Sequence, residues 1–183
     1  DQPIAGDFDG DGTDTVGVYR PYTSTVYLQN SHKGGAADVS FTFGARTVDA
    51  WSQYDNVDYF VTGLPADSDV ALDTRQNYLQ AGATIGDDES RVRHHVAARY
   101  FDSSNRNLTD GVEDITALSD RATLAYQADI ALGSDLLSLA LEREETAFEQ
   151  RGPIDFGDPN QSREMDTTSF VVDYRGHTAA NMT

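Results

Sequence analysis

The feature that most constrains this chain is strict two-residue alternation, sustained over runs much longer than an ordinary strand. In Arg121–Leu132, Ala122, Leu124, Tyr126, Ala128, Ile130 and Leu132 share one parity, while Thr123, Gln127 and Asp129 share the other. Leu136–Thr146 sets Leu137, Leu139 and Leu141 against Ser138, Glu142 and Glu144. In Arg91–Phe101, Val92, His94, Val96, Ala98 and Tyr100 alternate with Arg91, Arg93, His95, Ala97 and Arg99. Asn77–Ile85 and Thr168–Tyr174 repeat the pattern. Side chains on a strand point alternately to opposite faces, so each run predicts a two-faced strand. Gly133-Ser134-Asp135 predicts a tight turn between two such runs and argues against one helix through 117–149. The fold class read from the chain is all-β and antiparallel.

Alternation over nine to twelve residues exceeds the usual strand of about five or six. It fits the roughly ten-residue strands of an outer-membrane barrel, apolar outward and polar inward. An amphipathic hairpin in a soluble sandwich or barrel gives the same pattern. With 183 residues, a compact barrel of about eight strands is a third arrangement. Polar loops are expected over Phe101–Asp120 and Gln150–Met165.

The first segment is different. Short β-rich stretches at Thr15–Tyr19, Thr25–Leu28 and Val39–Phe43 are separated by Pro21 and by Gly34-Gly35. They predict short antiparallel strands. The expected division is 1–46 and 47–183, with a joint around Gly44–Asp55.

Charge narrows the partners. Thirty-one acidic residues against 13 basic give a formal net charge of -18. Such a surface repels phosphate backbones and anionic lipid, so no nucleic-acid role is expected. It attracts cations. The chain has no cysteine, so disulfides, thiolate metal sites and cysteine nucleophiles are excluded. No basic-then-apolar leader is visible at Asp1, and a processed form or excised piece is expected. No apolar run approaches the roughly 18 residues of a spanning helix, so membrane insertion would use strands.

The most specific local signal is Asp7-Phe8-Asp9-Gly10-Asp11-Gly12-Thr13-Asp14-Thr15. Carboxylates at alternate positions converge when the backbone curls around a hard cation, and Gly12 permits the sharp bend. The expected Ca²⁺ ligands are Asp7, Asp9, Asp11, the Thr13 carbonyl and, closing the shell, Thr15 or alternatively Asp14. The twelfth position is Val18, not a bidentate glutamate, and a strand follows. The loop is therefore not of the helix–loop–helix type. A solvated acidic turn is the plain alternative.

Other groups carry weaker signals. His94 and His95 are adjacent on a strand, face opposite ways and cannot share one metal. Glu142 and Glu144 would share a face, as paired carboxylates or as an acidic row. Ser119-Asp120-Arg121 lacks a nucleophile-elbow context, and no glycine-rich phosphate loop exists. No enzyme activity is expected. Trp51, Tyr54, Tyr59 and Phe60 suit an interfacial girdle or a sugar-stacking platform, with core packing the default.

Two resemblances follow. Pro3 to Gly12, Asp14 to Pro21 and Tyr27-Leu28-Gln29-Asn30-Ser31 resemble one FG-GAP or VCBS-type repeat over about residues 1–44. That resemblance implies a propeller-blade-like unit with a calcium loop between strands. Val57-Asp58-Tyr59-Phe60-Val61-Thr62-Gly63, Ala98-Arg99-Tyr100-Phe101-Asp102, Arg106-Asn107-Leu108, Glu149-Gln150-Arg151-Gly152 and Phe156-Gly157-Asp158-Pro159-Asn160-Gln161 resemble strands and loops of TonB-dependent outer-membrane receptors over about 57–176. No plug domain or energy-coupling box is recognisable. This second resemblance implies an extracytoplasmic, bacterial-envelope segment that binds or takes up a ligand. The alternative is a secreted, soluble, calcium-stabilised module for adhesion or for a small-molecule or carbohydrate ligand.

Overall fold

The computed structural model describes residues 1–8, 11–29, 39–57, 63–87, 89–154 and 157–176. They form one antiparallel sheet of nine strands in simple chain order: β1 (Gln2–Gly6), β2 (Thr15–Arg20), β3 (Thr25–Leu28), β4 (Val39–Val57), β5 (Pro65–Ile85), β6 (Val92–Thr109), β7 (Val112–Leu132), β8 (Asp135–Arg151) and β9 (Gln161–Arg175). The all-β, antiparallel expectation is met. A short 3-10 turn at Pro21–Thr23 joins β2 to β3, and Ser24 closes it in the left-handed region.

Strand length separates two regions. β1 to β3 have four to six residues each, whereas β4 to β9 have 15 to 21. The long strands exceed their alternating cores because polar sequence continues the ladder. β6 runs through the expected loop to Thr109, Asp110 and Gly111 turn the chain with φ of +51° and +78°, and β7 begins at Val112. The expected loop over Phe101–Asp120 is thus corrected to a hairpin. Its polar residues find partners across the ladder: Thr74 Oγ1 donates to Asn105 Oδ1 at 2.9 Å, and Asn77 Nδ2 donates to Asp102 at 3.1 Å. The expected loop over Gln150–Met165 shrinks to 152–160.

The sheet is not closed. β1 and β9 are its two edges, so the compact eight-strand barrel is not formed. β3 pairs only with Val39–Thr42 of β4 and leaves the rest of that strand's outer edge uncovered by β3. The expected joint at Gly44–Asp55 falls inside β4, which pairs with β5 without interruption from Val39 to Asp55.

Among the described residues no second layer packs on this sheet. Among the described residues the only buried hydrophobics are Ala71 and Ala128, at 6% and 7% exposure. Trp51 and Tyr54 are 60% and 59% exposed, which overturns the default that they are core. They sit at odd and even positions of β4 and so point to opposite faces. Tyr59 and Phe60 lie outside the described residues.

Candidate functional site

The loop 7–14 joins β1 to β2, and the Gly6–Thr15 pair closes its neck. Thr15 is 4% exposed as the first residue of β2. Two carboxylates turn back onto the loop's own backbone. The Gly12 N–H donates to Asp7 Oδ2 at 2.9 Å, and the Thr13 N–H donates to Asp11 Oδ1 at 2.7 Å. Gly12 takes φ +86°, the bend expected of it. The Phe8 ring lies over Gly6, 3.3 Å from where a Cβ would stand. Asp7, Asp11 and Thr13 therefore share this loop, while Thr15 stands at its neck as part of β2. Asp9, the middle carboxylate of the expected set, lies outside the described residues. Among the described residues no three acidic or histidine side chains converge as a metal cluster.

The register of the long strands sorts their side chains onto two unlike faces. One face carries an apolar band. Phe41, Ala83, Val96, Tyr126, Leu141 and Phe170 form one continuous row across β4 to β9. Neighbouring rows add Leu79, Ala81 and Ile85 on β5, Leu124 and Ile130 on β7, and Val172 and Tyr174 on β9. Leu124 is 58% exposed and Phe170 68%. On β7 the band runs from Ala122 to Leu132, then gives way to Asp120.

Above the band the same face becomes a lattice of paired charges. Arg75 meets Asp49 at 2.7 Å, Arg106 meets Asp73, and Arg143 reaches Asp166 at 3.0 Å and Glu145 at 3.2 Å. Arg151 pairs with Glu149 at 2.8 Å. The Asp49 hydrogen bond and charge hold the Arg75 guanidinium above its ordinary range. These residues are exposed or half-buried at the sheet surface, so each pair contributes little to stability.

The opposite face is polar or small at the level of the band, apart from Leu136 and Val171. Its rows include Thr84–His95–Gln127–Ala140 and Gln80–Arg99–Thr123–Glu144. His94 and His95 face opposite ways, as expected. His94 Nδ1 lies 2.7 Å from the Tyr126 hydroxyl on the banded face, while His95 lies 3.1 Å from Thr84 Oγ1 and 3.2 Å from Asp129 Oδ2 on the other. Glu142 and Glu144 share the polar face two residues apart. Two adjoining hollows of about 400 Å³ each lie there and share Arg99 and Glu142.

These hollows are invisible to a residue-by-residue reading of the chain. Their small floor residues come from three strands and align only once the register is known. Comparison of the chain with protein-family models, with curated proteins and with solved structures finds no match.

Proposed function

We propose that β4 to β9 are part of the wall of a bacterial outer-membrane barrel of the TonB-dependent receptor kind, with an uptake or ligand-binding role. The observation that carries this reading is the apolar band on one face of a single-layered sheet. Exposed apolar patches of this extent mark contact with a partner or with lipid. From Ala122 to Leu132 the band covers about 34 Å along β7, or about 26 Å once a strand is tilted by about 40°. The outward apolar zone of such barrels is about 25 Å tall.

The upper edge of the band drops by four residues across the sheet, all of it between β7 and β8. It lies at Ala45, Leu79, Tyr100 and Ala122 in one row of β4 to β7, then four residues lower at Leu141 on β8. A tilt near 40° displaces the membrane boundary by about one residue per strand, or about six residues from β4 to β9. The polar face is then the lumen and the ion-pair lattice stands outside the membrane. The extension beyond the band is made by strands rather than by long loops, since β6 and β7 meet in the two-residue turn Asp110-Gly111.

In the same reading the β1–β2 loop holds Ca²⁺ through Asp7, Asp9, Asp11, the Thr13 carbonyl and Thr15. The N–H bonds to Asp7 and Asp11 support it, since they wrap the backbone around the carboxylates before any ion binds. This loop is also what favours the second reading, a secreted calcium-stabilised module for adhesion or carbohydrate. No catalytic step is assigned.

The test is transfer of the full chain from urea into buffer, into detergent micelles and into lipid vesicles, followed by circular dichroism and sedimentation. Aggregation in buffer with a folded β signal in micelles and vesicles is the expected result. A folded, monomeric chain in plain buffer would sink the barrel-wall reading and leave the secreted module.

A further inference from the structure

We propose that the hollow beside Arg99 binds a small amphoteric solute of the short-peptide class, its carboxylate on Arg99 and its ammonium on Glu142. The first observation is a difference between cations. On the banded face Arg75, Arg106, Arg143 and Arg151 each hold a carboxylate. Arg99, on the polar face, has no ion-pair or hydrogen-bond partner among the described residues, in a chain with 31 acidic side chains. Arg121 beside it reaches Glu144 only at 3.8 Å.

The second observation is shape. Ala97 pairs with Ala125, and Ala125 with Glu142, so one row across β6, β7 and β8 loses its side-chain bulk and ends on a carboxylate. Ala97, Ala125 and Ala140 line the resulting trough of about 400 Å³. Arg99 and Glu142 line it as well, and His95 and Gln127 form the opposite wall. That wall is fixed from behind. Asp129 accepts from Gln127 Nε2 at 2.8 Å and from Ser138 Oγ at 2.6 Å, and meets His95 at 3.2 Å.

The third step is charge and length. The trough offers one unengaged cation and one carboxylate, so a solute with a single charge leaves one of them unanswered. Strands β6 and β8 are about 10 Å apart, two interstrand spacings. Two extended residues at about 3.5 Å each, about 7 Å in all, fit within that span. The guanidinium fork suits a carboxylate. Placing the trough in a lumen rests on the barrel-wall reading, but its chemistry does not.

The test uses the full chain in whichever medium keeps its β signal, titrated with L-alanyl-L-alanine by calorimetry. N-acetylated and C-amidated forms of the dipeptide are the controls. Saturable binding is expected for the zwitterion, weakened about tenfold by either cap. Arg99→Gln should weaken the zwitterion and the acetylated form, yet leave the amide unchanged. Glu142→Gln should do the reverse. Gln76→Ala, on the same face two rows away, should change nothing. A folded chain that shows no saturation, or that ignores both caps, overturns the proposal. Binding by a chain that proves water-soluble upholds the trough while the barrel wall falls. A detergent-dependent chain that fails to bind does the opposite.

Discussion

The short strands and the long strands of this sheet solve different problems. In β1 to β3, Thr15, Gly17 and Thr25 are buried although no strand there exceeds six residues. Gly17 is packed so closely that a Cβ would lie 2.7 Å from the Tyr27 carbonyl oxygen and 2.9 Å from Ile4 Cγ1. This small unit is tight within itself. Among the described residues the six long strands bury only Ala71, Thr116 and Ala128 and present large apolar side chains outward. Length alone therefore does not supply a core. A sheet gains one only when something covers its apolar face, and here that cover is proposed to be lipid.

The largest expected effect bears on that cover. In vesicles, Tyr126→Arg, at the middle of the band on β7, should cost about 2–4 kcal/mol of unfolding free energy, as a charge placed on the lipid face. Thr167→Arg, on the polar face opposite Glu144, should stay within about 0.5 kcal/mol of wild type. Urea unfolding from vesicles reads both. Equal, small effects would erase the difference between the faces.

Calcium comes next and should act on the short-strand region alone. At about a hundred times its dissociation constant the ion should add about 2.7 kcal/mol to the unit that holds it. Hydrogen exchange of β1 to β3 should slow, exchange of β6 to β8 should not, and Asp11→Ala should remove the response. Slowing throughout the sheet would show that the two regions unfold together.

Gly17→Ala sharpens the same boundary from the packing side. The clash with backbone and with Leu28 should cost about 1–3 kcal/mol. Faster exchange should be confined to β1 to β3. If β5 to β8 also loosen, the short unit is a brace for the whole sheet.

The smallest effect lies in the 86–91 connection. The Ser90 hydroxyl donates to Asp87 Oδ1 at 2.6 Å and the Glu89 N–H donates to it at 3.1 Å. These bonds hold the Asp87 carboxyl below its usual range, the Ser90 bond most. A carboxyl lowered by folding stabilises the fold fully above the ordinary aspartate pKa near 3.9, and that contribution is lost as pH falls through the lowered value. NMR titration should place Asp87 below an unstructured aspartate, and Ser90→Ala should bring it back up.

Much of the fold was legible because alternation reports faces directly. The runs ending at Ile85, Leu132 and Tyr174 are strands, and Gly133-Ser134 turns the chain as its residues require. The upper halves of the strands were not legible. Asp102, Asn105 and Arg106 read as loop because polar residues on both parities carry no period, and only their cross-strand partners make them strand. Trp51 misled for a related reason, since an aromatic signals a buried environment only where a second layer exists. The β1–β2 loop was legible as a bend at Gly12 and as the placement of Asp7 and Asp11. Arg99 and its trough were not, because the alanines that floor it lie on three strands, and the register that aligns them is a property of pairing.

The pairing order has one further consequence. Every strand bonds only to the strands before and after it in the chain, and Val39 with Ile85 is the longest reach in the ladder. Such a sheet can grow by zippering, each new hairpin laid on the last as the chain emerges, with loop closures that stay short in entropic terms. It can also be lengthened or shortened by whole hairpins without rethreading what is already built. A sheet paired this way can change its width by whole hairpins and keep its faces.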